Sequence, residues 1–178
     1  MPPLPPAAPL VVTLRFPDEA FALFDGLRRR HFPAERNHLP AHATLFHALP
    51  GEDEALAHGR LASRAAALPA PEVAVEAMRF TGRGVAYALS SRPLEALRRA
   101  LADDWSGRLT AQDAQGWRPH VTVQNKVEPG TARALHAALA VEFRPFTFTA
   151  PGLLLWRYRG GPWEALAEFA FAPAEAVA

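Results

Sequence analysis

The sequence contains no cysteine, and lysine occurs only once, at position 126. Without cysteine the chain cannot form a disulfide, use a thiolate nucleophile or hold a cysteine-ligated zinc or iron–sulfur site. The formal net charge is only +1, so no excess of basic residues is available to neutralise a run of duplex phosphates. We therefore expect a small anion or a nucleic-acid end as the ligand, and not duplex DNA.

Long apolar runs are also missing. No stretch reaches the roughly 20 residues of a membrane-spanning helix, and the opening MPPLPPAAP lacks the basic start and apolar run of a signal peptide. These absences predict a cytoplasmic protein without a membrane segment. We also expect it to be monomeric or weakly associating. The apolar content of 49% is sufficient for one folded domain over residues 10–172. Residues 1–9 are expected to form an extended arm, and residues 173–178 a tail.

The chain shows the same order of elements twice. A β-branched run, a helix with acids at its start and arginines at its end, a second strand, a second helix and a hairpin turn are predicted between residues 10 and 91. A helix, a strand, a helix and two strands follow between residues 92 and 172. A shift of 78 positions superposes four pairs of residues: His42 on His120, Thr44 on Thr122, Arg79 on Arg157, and Gly82 on Gly160.

This order predicts an α+β fold with an internal structural duplication. We expect a lobe at about residues 10–91 and a second at about residues 92–172, related by an approximate two-fold axis. Each lobe would contribute an antiparallel sheet. The two sheets would face a central cleft, with the helices on the outside.

Two stretches of the repeat carry the same short motif, PAHATLFH at residues 40–47 and PHVTVQNK at residues 119–126. Each has a histidine, one residue, a threonine and then an apolar residue. Side chains alternate along a strand, so the histidine and the threonine of each motif should share one face. If the two sheets face each other, His42, Thr44, His120 and Thr122 would line one cleft.

These motifs resemble those of the 2H phosphoesterase superfamily, whose members carry two His-x-Thr/Ser-x motifs, one in each lobe of a duplicated α+β fold. The order of elements from Leu10 to Phe171 is also similar to the bacterial branch named after 2′-5′ RNA ligase, which includes RNA 2′,3′-cyclic phosphodiesterases. The resemblance implies two catalytic histidines, His42 and His120, and favours His42 as the acid and His120 as the base. The residues themselves do not separate the two roles. It further implies two phosphate-binding threonines, Thr44 and Thr122, with no metal and no cofactor.

The residue types of the motifs suit the opening of a cyclic phosphodiester. One imidazole can take a proton from the attacking water and the other can protonate the departing oxygen. Threonine hydroxyls can hydrogen-bond the non-bridging oxygens. The resemblance favours a 2′-phosphate product. RNA 3′ ends, free cyclic nucleotides, ADP-ribose cyclic phosphates and a reverse 2′-5′ ligation all remain open.

Several further residues are candidate substrate contacts. Strand alternation places two of them, Phe46 and Gln124, with the motif side chains. Arg79 and Arg157 occupy matching positions in the repeat, and Arg118 flanks the second motif. An aromatic side chain near the end of a predicted strand could stack on a base, either Trp156 or Tyr158.

Two other functions compete with this hypothesis. A metal hydrolase is suggested by His38, His42 and His47, which are close in sequence, but simple alternation places the last two on opposite faces of one strand. A non-catalytic module that binds an RNA end or a nucleotide is the second alternative. Against it, binding alone does not require two titratable histidines in matching positions.

Overall fold

A computed structural model describes residues 7–173 of the chain. Residues 1–6 of the expected arm and residues 174–178 of the expected tail lie outside this range. Within it, the chain forms eight strands and four α-helices. In chain order these are β1 Leu10–Arg15, α1 Asp18–His31, β2 Thr44–Leu49, α2 Glu54–Ala67, β3 Glu72–Phe80, β4 Val85–Ser90, α3 Arg92–Asp104, β5 His120–Gln124, α4 Pro129–Glu142, β6 Phe146–Thr149, β7 Gly152–Arg157 and β8 Glu164–Ala170.

The strands form two four-stranded sheets. Sheet one has the order β2-β1-β7-β8 and sheet two the order β5-β4-β3-β6, and the paired strands run antiparallel in both. The two orders correspond position by position, with β2 matching β5 at one edge and β1 matching β4 beside it. The predicted α+β fold with a duplicated, two-fold arrangement is confirmed.

The division of the chain near residue 91 does not separate the two sheets. Sheet one takes β1 and β2 from the first half and β7 and β8 from the second, and sheet two is mixed in the same way. The expectation that each half supplies its own sheet is therefore wrong, because the halves at about 10–91 and 92–172 each contribute strands to both sheets. The halves are joined by direct strand pairing, because β1 pairs with β7 in sheet one and β3 pairs with β6 in sheet two.

The helices interlock the halves further. Helix α1 follows a strand of sheet one, yet its buried Phe24 packs on Tyr87 and Phe148 of sheet two. In return, α3 of the second half ends at the buried Trp105, whose ring lies 6.3 Å from that of Phe46 in sheet one. The buried apolar residues consequently form one continuous core. Neither half of the chain buries its apolar surface alone.

The hairpin turns keep the register of the repeat. Gly82 and Gly160, related by the shift of 78, adopt φ values of 86° and 89°. That left-handed region favours glycine, because a Cβ atom would be strained there. Of the two strands expected after the last helix, the first is divided at Ala150, where the chain leaves β6 in sheet two and enters β7 in sheet one. Across residues 7–173, none of the helices has the length and apolar character that spanning a membrane requires.

Candidate active site

The two motifs lie at the edge strands of the two sheets. Thr44 begins β2, and His42 lies two residues before that strand, although the whole motif was expected to be strand. His120 is the first residue of β5 and Thr122 is its third. Among residues 7–173, each edge strand pairs on its inner side only: Thr44 pairs with Thr13 of β1, and Thr122 pairs with Ala86 of β4.

Both motif histidines are held in the same way. The Nδ1 atom of His42 lies 2.8 Å from the carbonyl oxygen of Pro40, and that of His120 lies 2.9 Å from the carbonyl oxygen of Arg118. A carbonyl oxygen can only accept, so each Nδ1 must carry the hydrogen. The Nε2 atom of each ring is then left to accept a proton when the ring is neutral, or to donate one when it is charged.

The four motif side chains line two depressions, and each depression combines the two motifs. His42 and Thr122 lie in one depression of about 370 Å³. His120 and Thr44 lie in the other, of about 420 Å³. The histidine of each motif therefore shares a depression with the threonine of the other. This exchange brings the two predicted motifs together from opposite sheets.

Burial sets the protonation state of His42. Its pKa is lowered from 6.5 to about 4. Burial is the largest cause, the nearby charges of Arg28 and His120 act in the same direction, and the hydrogen bond to Pro40 opposes them. Near neutral pH the ring is consequently uncharged. Because the folded chain binds this proton less readily than the unfolded chain, stability decreases as the pH falls from 6.5 through about 4.

We expect histidine NMR to detect this shift directly. In the ligand-free protein, the His42 ring should titrate with a midpoint near pH 4. Inorganic phosphate should raise that midpoint, because a neighbouring negative charge favours the imidazolium. A midpoint near 6.5 without ligand would contradict the effect of burial, and His42→Gln identifies the resonance.

Side chains from each half hold the motif strand of the other half. Arg28 of α1 donates from Nη1 to the carbonyl oxygen of Thr122 at 2.8 Å. Trp117, in the loop before β5, donates from Nε1 to the carbonyl oxygen of Thr44 at 2.8 Å, and Arg98 of α3 donates from Nε to that of Leu45 at 3.1 Å. These donors satisfy backbone groups at strand edges, where no further strand pairs.

Both motif strands contain a register shift directly after the threonine. On β2, Thr44 pairs with Thr13 but Phe46 pairs with Val12, so Leu45 is an extra residue. On β5, the same shift makes Val123 extra. Such a bulge reverses the faces of the residues that follow it. Phe46 and Gln124 are 0% and 4% exposed, so their prediction as substrate contacts is wrong.

The bulge also changes the position of His47. Simple alternation placed it opposite the motif face, but it lines the depression that contains Thr44 and His120. Its ring Nδ1 lies 3.0 Å from Oδ1 of the buried Asp113. No pattern in the sequence indicated this pair, because Asp113 follows 66 residues later in a loop.

The remaining predicted contacts divide into two groups. Tyr158 lines the depression that contains His42, and Arg118 lines the one that contains His120. Arg157 instead pairs with Glu54 and Glu164, and Arg79 is exposed on β3. Neither of these two arginines lines a depression with a motif residue.

An aromatic wall beside His42 was only partly predicted. The ring of Trp163 lies 4.9 Å from that of His42 and 6.1 Å from that of Trp156. The two tryptophans line an apolar recess of about 310 Å³ that also reaches His42. Trp163 follows the Gly160 turn, and nothing in its spacing to the motifs indicated this contact.

Metal ligands do not converge in the part of the chain that the structure describes. No three histidine, aspartate or glutamate side chains among residues 7–173 are placed to hold an ion. His42 and His47, which the sequence suggested as ligands, are engaged separately, one with Pro40 and the other with Asp113.

Solved structures with the same fold come from more than one bacterium. The TT0787 protein of Thermus thermophilus aligns with a TM-score of 0.58 and 15% identity, over 94% of this chain and 100% of that protein. Escherichia coli LigT in complex with NADP+ aligns with a TM-score of 0.57 and 19% identity, over 94% and 99%. LigT in complex with 3′-AMP gives 0.55 and 19%, over 92% and 98%.

A search of curated proteins for relatives by sequence finds no match. The family comparison is more informative, because it covers both motifs and most of the elements that hold them. The profile of the 2′-5′ RNA ligase superfamily matches residues 16–162. With two His-x-Thr motifs brought together from opposite sheets, the chain belongs to the 2′-5′ RNA ligase superfamily, the 2H phosphoesterases, whose members are generally phosphoesterases.

Proposed function

We propose that this protein is a metal-independent phosphoesterase that hydrolyses a 2′,3′-cyclic phosphate of an RNA end or a nucleotide to a 2′-phosphate. One observation carries the proposal: each motif histidine is fixed through Nδ1 by a carbonyl oxygen and shares a depression with the threonine of the other motif. The LigT complexes with 3′-AMP, ATP and phosphate support a nucleotide phosphate as the ligand.

The two histidines would act from opposite sides of the phosphorus. In-line displacement requires the attacking water and the departing ribose oxygen to lie on opposite sides. The Nε2 atom of one ring takes the proton of the water, and Nε2–H of the other protonates the departing oxygen. Thr44 and Thr122 donate their hydroxyls to the non-bridging oxygens, where negative charge accumulates.

The protonation state of His42 constrains which histidine is the acid. The superfamily resemblance gives that role to His42 and the role of base to His120. In the free protein the pKa of His42 is about 4, so a His42 acid requires the bound phosphodiester to raise this pKa. The negative charge of the phosphate acts in that direction. The decrease of kcat at high pH reports the pKa of the acid in the enzyme–substrate complex, and the decrease of kcat/KM reports it in the free enzyme. We therefore expect kcat to decrease at a higher pH than kcat/KM.

The product isomer tests how the nucleoside is held. We expect hydrolysis of a nucleoside 2′,3′-cyclic phosphate to leave the phosphate on the 2′ oxygen, because only one ribose oxygen can face the acid when the sugar has a single orientation. Stacking of the base on Tyr158 or Trp163 would fix that orientation. Phosphorus NMR distinguishes the isomers. A 3′-phosphate would reverse the proposed orientation, and a mixture would mean that only the phosphate is held.

Activity should not depend on a metal. We expect turnover of a 2′,3′-cyclic nucleotide to be unchanged after dialysis against EDTA, since proton transfer and charge stabilisation are assigned to histidine and threonine side chains. The measurement is kcat before and after dialysis, with zinc and manganese added back separately. Loss of activity that either ion restores would refute the two-histidine mechanism. Binding of 3′-AMP without any turnover would favour a binding module.

A further inference from the structure

The depression that contains Thr44 and His120 also contains His47, a histidine that the proposed reaction does not use. His47 follows the bulge of β2, and its side chain is 42% exposed in the depression that also contains Thr44 and His120. A second register shift lies between Phe46 and Leu49, and the backbone N–H groups of both His47 and Ala48 donate to Asp113 instead of to β1.

The carboxylate of Asp113 holds His47 in place. This side chain is 1% exposed, and it accepts hydrogen bonds from the backbone N–H of His47 and of Ala48, each at 2.9 Å, and contacts the ring Nδ1 at 3.0 Å. Burial acts to raise the pKa of Asp113, but the hydrogen bonds from His47 and Ala48 act in the opposite direction and outweigh burial. The net effect is a lowered pKa. The anionic carboxylate fixes the hydrogen on Nδ1, which leaves Nε2 to face a ligand.

Further polar groups line the same depression. Arg118 is exposed and pairs with no carboxylate among residues 7–173. The exposed amides of Gln112 and Gln115 complete this side of the depression. Arg98 is different, because its guanidinium is buried and donates to the carbonyl oxygens of Leu45 and Asp113. Besides Thr44 and His120, the donors left for a ligand are therefore His47, Arg118 and the two amides.

We propose that this depression binds a second phosphate group of the substrate, beside the scissile phosphodiester, through Nε2–H of His47 and the guanidinium of Arg118. A bound phosphate favours the charged form of the His47 imidazole. The Asp113 carboxylate compensates that charge at Nδ1, the ring nitrogen that faces away from the phosphate. The recess at His42 is apolar, in contrast to this polar depression, and it suits the base of the nucleotide. The inference rests on the proposed function and narrows its substrate to a nucleotide or RNA end with a second phosphate.

Binding of two matched nucleotides tests this subsite without turnover. We would measure by calorimetry the Kd of adenosine 3′-monophosphate and of adenosine 3′,5′-bisphosphate. The wild-type protein should bind the bisphosphate at least about tenfold more tightly, the equivalent of one charge-assisted hydrogen bond. His47→Gln and Arg118→Met should each remove most of this advantage and change the Kd of the monophosphate by less than about twofold.

The control is His136→Gln, on α4, which lines neither depression. It should keep the full preference for the bisphosphate. Equal affinity of the wild-type protein for the two nucleotides would overturn the subsite, and so would an equal loss for both nucleotides in His47→Gln and Arg118→Met. Because Arg118 is exposed, its variant should remain folded even if His47→Gln does not. Absence of phosphodiesterase turnover with a retained bisphosphate preference would refute the proposed function but not the subsite.

Discussion

Replacement of His42 or of His120 by alanine is expected to lower kcat on a 2′,3′-cyclic nucleotide by about 10²–10⁴-fold each. Each change removes the Nε2 atom that takes or gives a proton, and the partner histidine cannot perform both transfers from one side of the phosphorus. The expected effect is on kcat more than on KM, since the proton transfers occur in the transition state. Steady-state kinetics on the purified variants measure both parameters.

The double variant provides a sharper criterion. If the two histidines act as one unit, the loss in His42→Ala/His120→Ala should be well below the product of the two single losses. His136→Ala, outside the depressions, should keep wild-type activity. Each variant also needs a thermal melt. Near-wild-type kcat in a folded single variant would exclude that histidine from the mechanism, whereas unfolding would mark it as structural.

Replacement of Arg98 by methionine is expected to cost about 2–5 kcal/mol of stability. Arg98 is 6% exposed, and its guanidinium donates to the carbonyl oxygens of Leu45 and Asp113 and lies 4.1 Å above the ring of Phe46. Methionine keeps much of the side-chain volume but leaves both buried acceptors without a donor. For a domain of this size, the midpoint of thermal unfolding should fall by roughly 5–15 °C.

Arg99→Met is the matched control, because Arg99 is the next residue of α3 and is exposed. An exposed arginine contributes little, so its replacement should change stability by less than about 0.5 kcal/mol. Urea unfolding of both variants measures the difference. Equal stability of the two variants would mean that the Arg98 contacts are not needed to hold the loop before β5 against β2.

These contacts connect stability to the site. Arg98 and Trp117 hold β2, and Arg28 holds β5, each from the half of the chain to which the strand does not belong. Arg28 also donates from Nε to Asn37 and to the carbonyl oxygen of Leu39, in the segment that leads to His42. Separation of the two halves would therefore release the motif strands together with the core. Partial loss of activity in Arg98→Met at temperatures well below its melt would reflect this coupling.

The sequence determined the duplication, the motifs and the family. Helix and strand patterns recur in one order, and the shift of 78 that superposes His42 on His120 also superposes two turn glycines with the same left-handed conformation. These features are local: a positive φ favours glycine wherever it occurs, and hydrophobic periodicity does not depend on which strand becomes the neighbour. For that reason α+β architecture and the four motif residues could be predicted before any contact was known.

Only the tertiary structure decided which other side chains face the site. The bulges after Thr44 and Thr122 bury Phe46 and Gln124 and turn His47 toward His120, because an extra residue on an edge strand depends on its pairing partner. Strand β7 returns to pair with β1 of the other half, and Trp163 and Asp113 reach the motifs from distant loops. A strand's alternation fixes faces only while its register is unbroken, and that register is a property of two strands together.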